Sequence, residues 1–209
     1  MTEDTNANDS ALMSALTTEH FVLQSARGAI TGEATSRVSI YLATLSSALI
    51  ALGFVSSRPD EFAVFVASVF PVIVVLGEFT FLRLVQIARE DIAHLEAIEL
   101  IRRYYRTLTP SAAQYFPDLR ERDAPTEFQT FMQITSRPGR QVWLTAASMI
   151  GVVNSLVAAT GIGLLIRKAN APLGVAFAAG VVVALVLFWL HAHYQLVRWT
   201  VDEPSPEAV

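Results

Sequence analysis

The chain has 209 residues, 53% of them hydrophobic and 16% charged, with a formal net charge of −4 and a mean hydropathy of +0.44. A water-soluble domain carries about a quarter of its residues as charges, so this composition excludes an ordinary soluble domain. Cysteine is absent, which excludes disulfides, thiolate metal sites and a cysteine nucleophile.

Residues 1–16 open polar, "MTEDTNANDSA", without an apolar run, and are predicted to be a disordered tail. No secretory leader is expected, because a basic stretch followed by an apolar one is missing. Residues 17–37 are predicted to form an amphipathic helix. Phe21, Ala26, Ala29 and Ile30 make its apolar stripe, and Glu33 and Arg37 are spaced i,i+4. Such a helix either lies on the membrane or leads into the first span.

The first span is predicted over 38–57, a charge-free run of 20 residues. That length crosses a hydrocarbon core of about 30 Å at about 1.5 Å per residue. "RPDE" (58–61) is a tight turn, with Pro59 at a helix-breaking position and Asp60 placed to cap the next helix. The second span covers 62–82 and tolerates one acid, Glu78. The two spans are expected to form a hairpin.

Residues 83–140 are polar and are predicted to be a cytoplasmic helical segment. Leu84, Ile87, Ile98, Ile101, Tyr105 and Leu108 follow a 3-4 spacing, with Asp91 and His94 in the intervening seam positions. This pattern continues the second span as one long helix, which Pro110 ends. A short helix is expected near Glu127–Ile134. The third span is predicted over 141–166, which is charge-free for 26 residues. "RKAN" (167–170) is a turn, and Asn170 followed by Pro172 resembles a helix start. The fourth span covers 172–190 and frays into a cytoplasmic tail, 191–209. The fold class is therefore all-α: a polytopic membrane protein with two hairpins joined by a cytoplasmic segment.

Orientation follows from basic residues. Twelve of the fifteen lie in the N-terminal, central and C-terminal segments; only Arg58, Arg167 and Lys168 lie in the two turns. The positive-inside rule puts both termini and the central segment in the cytoplasm, across an inner membrane. Tyr41, Trp143, Trp189, Tyr194 and Trp199 then fall where amphipathic rings anchor at the cytoplasmic interface.

Glu78 is the residue that asks for an explanation. Counted from Phe62, it lies roughly 24 Å into the second span, near the inner edge. It is either an ion- or proton-binding carboxylate or one held by a neighbouring donor. Arg83, five residues on, does not share its face. Tyr41 and Thr145 offer hydroxyls at its depth, and His191 is the first-named partner. Pro71, mid-span in the same helix, is a candidate kink or gate. Asn154, inside span three, is a candidate inter-helix contact. Arg102, Arg103 and Arg106 in "RRYYR" are candidate ligands for lipid headgroups rather than for nucleic acid. The His191–His193 pair lacks further ligands, so no metal is expected. No P-loop, GxGxxG, HExxH or GxSxG motif is present, so nothing points to an enzyme or a cofactor.

Through "YLATLSSALIALGF" (41–54) and "AIELIRRYYRTLTPSAAQYF" (97–116) the chain resembles a group of actinobacterial four-span membrane proteins without an assigned activity. The resemblance covers roughly 18–198 and implies a transmembrane hairpin, a basic cytoplasmic helix and a second hairpin. More loosely, the chain is similar to small bacterial transmembrane effectors of anti-phage systems. The expected function is a homo-oligomeric ion channel or membrane-perturbing effector. The alternative is a non-catalytic scaffold or accessory subunit that binds a cytoplasmic protein partner.

Overall fold

The structure, a computed structural model, describes residues 2–116 and 145–200. Four long helices account for most of them: α1 (Thr2–Val55), α2 (Pro59–Thr107), α3 (Ala146–Lys168) and α4 (Leu173–Thr200), with a short 3-10 turn at Ala112–Gln114. Each of the four contains a window long and apolar enough to cross a bilayer, as in a multi-pass membrane protein. The expected helix at Glu127–Ile134, residues 141–144 of the predicted third span and the tail from 201 lie outside the described residues.

Several sequence expectations are corrected. Residues 2–16 are helical and begin α1, so the predicted disordered tail is not one. Extending a helix that is already nucleated adds one hydrogen bond per residue fixed. Leu16 is also anchored by packing on Leu23, Ile98 and Ile101. The stripe assigned to residues 17–37 is also displaced. Phe21 is exposed, and the buried face runs through Leu16 and Leu23, seven residues apart, with Arg27 one turn further on. A charged residue on that face hides the seam from a hydrophobic count.

The turns follow from local chemistry. Pro59 is the first residue of α2, where its missing N–H costs nothing. Asp60 and Glu61 occupy the first turn, and Arg58 Nη1 pairs with Glu61 at 2.9 Å. At the other turn, Asn170 does not start α4 as its sequence context suggested. It adopts φ 62°, the left-handed conformation that ends helices, and its N–H bonds Arg167 O. The Pro172 carbonyl accepts the first bonds of α4, from Val175 and Ala176. α4 does not fray after residue 190 but stays helical to Thr200. No Gly or Pro interrupts it there, and His191 and Gln195 are buried one turn apart. α2 is continuous through Pro71.

The chain divides into two compact units, Met1–Glu33 with Ile87–Pro138 and Ala34–Gln86 with Gly139–Val209. Unit 1 has a core of Leu23, Ile98 and Ile101, flanked by Leu16, Ala97 and Tyr105. Arg27 and Asp91 close it with a two-pronged pair, Nε–Oδ1 at 2.7 Å and Nη2–Oδ2 at 3.2 Å. Unit 2 has a larger core of Tyr41, Ile73, Phe81, Leu84, Val85, Ala147 and Ile150. Small residues let its helices approach: a Cβ on Gly180 would meet Ala159 O at 3.2 Å, and one on Gly161 would meet the Phe70 ring at 2.8 Å. This is the close packing that small-residue repeats support inside membranes.

Candidate functional site

Unit 2 gathers polar side chains from all four helices around Glu78. The backbone geometry is set by glycine. A Cβ on Gly77 would overlap the Asn154 carboxamide, and one on Gly151 would lie 3.3 Å from both His191 and Phe81. Those two absent side chains leave room for Asn154 to reach α2 and for α4 to lie against α3.

Asn154 is fully buried and uses every hydrogen-bonding group it has. Its Nδ2 donates to Glu78 Oε1 at 2.9 Å and to Val74 O at 3.1 Å. Its Oδ1 accepts from the Tyr41 hydroxyl at 3.2 Å. His191 Nε2 lies 3.0 Å from Glu78 Oε1 and 3.1 Å from Oε2. On the other side of the ring, His191 Nδ1 lies 3.2 Å from Ser155 Oγ, which donates to Gly151 O at 2.7 Å. Phe81 packs edge-on against the imidazole, with ring centroids 4.4 Å apart. One helical turn along α4, Gln195 accepts from the Ser148 hydroxyl at 2.9 Å.

The acid is not sealed in. The Glu78 side chain is 38% exposed, against 8% for His191. It opens onto a groove of about 450 Å³ between α2 and α4, lined also by Phe81, Leu187, Leu190, His193, Tyr194 and Val197. In a bilayer, where an isolated charge is costly, a carboxylate with two donors from two other helices is tolerated and ties those helices together.

The structure thus joins Tyr41, Glu78, Asn154 and His191. Tyr41, predicted to be an interfacial anchor, is instead fully buried because its hydroxyl has a partner in Asn154. Thr145 does not join. It is the N-cap of α3, accepting from Ser148 N at 3.2 Å. Pro71 lies two turns before Glu78, outside the polar cluster. His193 stacks on Trp189 at 5.2 Å and does not join His191, as expected for helical residues two apart. Of the other aromatic residues, Tyr194 lies under Arg198, while Trp143 and the Trp199 side chain fall outside the description.

Sequence reasoning missed Ser155, Gly77 and Gln195. A serine and a glycine in a charge-free run carry no signal of their own. Gln195 lay in a stretch read as fraying. In unit 1, Arg102 and Arg106 do not extend freely toward headgroups. Arg106 Nη2 pairs with buried Glu99 at 2.9 Å and Arg102 Nε at 3.6 Å. The Arg102 guanidinium also covers the Phe116 ring. Arg103 is the exposed member of the three.

No family model, no curated protein and no solved structure matches this chain.

Proposed function

We propose that the chain is an inner-membrane protein with both termini and the 83–140 segment in the cytoplasm. Its spans pair as two hairpins, and copies of the chain assemble into an ion channel or a membrane-perturbing effector. The observation that carries this reading is the exposure of Glu78. A carboxylate serving only as glue is expected to be enclosed, yet this one opens 38% of its side chain onto a groove inside a span. In an assembly, such acids focus cations at the mouth of a pathway. Pro71, on the same helix and near the same face, is the proposed gate.

The test is ion flux into proteoliposomes, with oligomeric state measured in a native-like bilayer. Flux through a ring of chains, reduced about tenfold or more by Glu78→Gln, is expected. A monomer without flux refutes the channel reading, and equal flux from both proteins removes Glu78 from the pathway.

A second reading is favoured by the completeness of the Asn154 bonds and by the paired charges of unit 1. Here the protein is a non-conducting scaffold, the polar cluster holds the bundle, and unit 1 presents a cytoplasmic partner surface with exposed Arg103 at lipid headgroups. That reading expects Glu78→Gln to lower thermal stability with flux absent from both proteins, and a partner to co-purify.

A further inference from the structure

The protons around His191 can be counted from the contacts alone. Ser155 Oγ has one hydrogen. It lies 2.7 Å from Gly151 O and 3.2 Å from His191 Nδ1. A carbonyl only accepts, so the shorter contact takes the hydroxyl hydrogen. Nδ1 must then carry its own hydrogen and donate to Ser155 Oγ. On the opposite edge, Nε2 faces both Glu78 oxygens at 3.0 and 3.1 Å. A bare nitrogen lone pair against two carboxylate oxygens is repulsive, so this contact also requires a hydrogen. Asn154 cannot supply it, since both its amide hydrogens are committed to Glu78 Oε1 and Val74 O. The Tyr41 hydroxyl hydrogen is committed to Asn154 Oδ1.

We propose that Glu78 and His191 form an intramembrane proton-binding site, in which the pair holds one dissociable proton and the full set of hydrogen bonds around it is complete only while that proton is held. With the proton on His191 the pair is imidazolium and carboxylate; with it on Glu78 the pair is carboxylic acid and Nδ1–H imidazole. Both forms are net neutral, which is the form a low-dielectric bundle favours. Loss of the proton leaves one hydrogen for two ring nitrogens. The imidazole then takes the Nε2–H form toward Glu78, and the Ser155 hydroxyl turns from Gly151 O to Nδ1. Gly151 O sits in the helical ladder, so it loses only a second bond. The proton departs through Glu78, the member of the pair that opens onto the groove.

The surroundings add few competing charges. α1 brings Tyr41. α3 brings the neutral Asn154, Ser155 and Ser148. α4 brings His193 and Tyr194 to the groove, with Arg198 over the Tyr194 ring at 5.4 Å. α2 brings Arg83, which bonds Gln86. The inference goes beyond conduction and stands whether or not the protein passes ions.

The experiment is histidine NMR on the full chain with isotope-labelled imidazoles in lipid nanodiscs, titrated from about pH 5 to pH 9, with infrared detection of the Glu78 carboxyl group. His191→Gln assigns the His191 signals. Two wild-type results at the acid end support the site: His191 protonated on both nitrogens, or Nδ1–H imidazole together with a protonated Glu78. On raising pH, a single step to the Nε2–H form is expected, and Glu78→Gln is expected to remove the acid-end state seen in wild type. His191 bearing hydrogen only on Nε2, with Glu78 ionised across the whole range, overturns the proposal. So does a doubly protonated signal unchanged in a folded Glu78→Gln protein. The wild-type titration alone decides if the variant does not fold, and neither readout involves flux.

Discussion

In unit 1, Arg27 meets Asp91 as charge against charge, with side chains 19% and 24% exposed. In unit 2, Glu78 meets an amide and an imidazole from two other helices, and the amide passes its remaining bonds to a tyrosine and a backbone carbonyl. Partial contact with solvent makes a permanent ion pair tolerable, because water still screens the residual charge. Glu78 is more exposed, at 38%, yet its partners are an amide and an imidazole rather than a fixed cation, so within an apolar helix the acid is stabilised by sharing a hydrogen and by donors that carry no fixed charge. The difference teaches that the two units respond to different perturbations: one to ionic strength, the other to shape and to proton occupancy.

The largest expected effect comes from shape. Gly77→Val drives a side chain into Asn154 and displaces it from Glu78 and Tyr41. A loss of about 3 kcal/mol is expected from overpacking and broken bonds together, read as a lower melting temperature in detergent. A variant as stable as wild type breaks the claim that Gly77 makes room for the cluster. Asn154→Leu should cost about 2 kcal/mol, since inter-helix hydrogen bonds in membranes average roughly 0.6 kcal/mol and three are lost.

Charge is the next test. Asp91→Ala should destabilise by about 1–2 kcal/mol through the loss of a two-pronged pair. Raising salt to about 1 M should narrow the gap between this variant and wild type, while leaving the Asn154→Leu deficit unchanged. Equal salt responses remove the distinction between the units. Smallest of all, Arg103→Gln should change stability by less than about 0.5 kcal/mol, as for an exposed side chain. Arg106→Gln, which leaves buried Glu99 with only the longer Arg102 contact, should cost about 1 kcal/mol more than Arg103→Gln. Vesicle binding that weakens for Arg103→Gln but not for Arg106→Gln identifies Arg103 as the headgroup contact.

The helices, four of them long and apolar enough to cross a membrane, and the 3-4 seam through Ile98 and Ile101 were legible because hydrophobic periodicity is a local property, readable within a window of residues. The Glu78–His191 contact was also legible. Helical rise alone brings the two residues to similar depth, and few polar side chains compete there. Arg27 and Tyr41 were not legible as seam residues. A charge or a hydroxyl on a buried face makes sense only beside its partner, and Asp91 and Asn154 lie 64 and 113 residues away.

By itself the sequence determined an all-helical, multi-pass chain with one acid in a span, since length, hydropathy and charge are sums over neighbouring residues. Only the tertiary structure decided what surrounds that acid. Two glycines had to be absent of side chain for Asn154 and α4 to come close, and a single hydroxyl hydrogen on Ser155 had to choose between two acceptors. Those are relations between helices separated by most of the chain, and the donor count that turns Glu78 and His191 into a proton site exists only once the helices are packed.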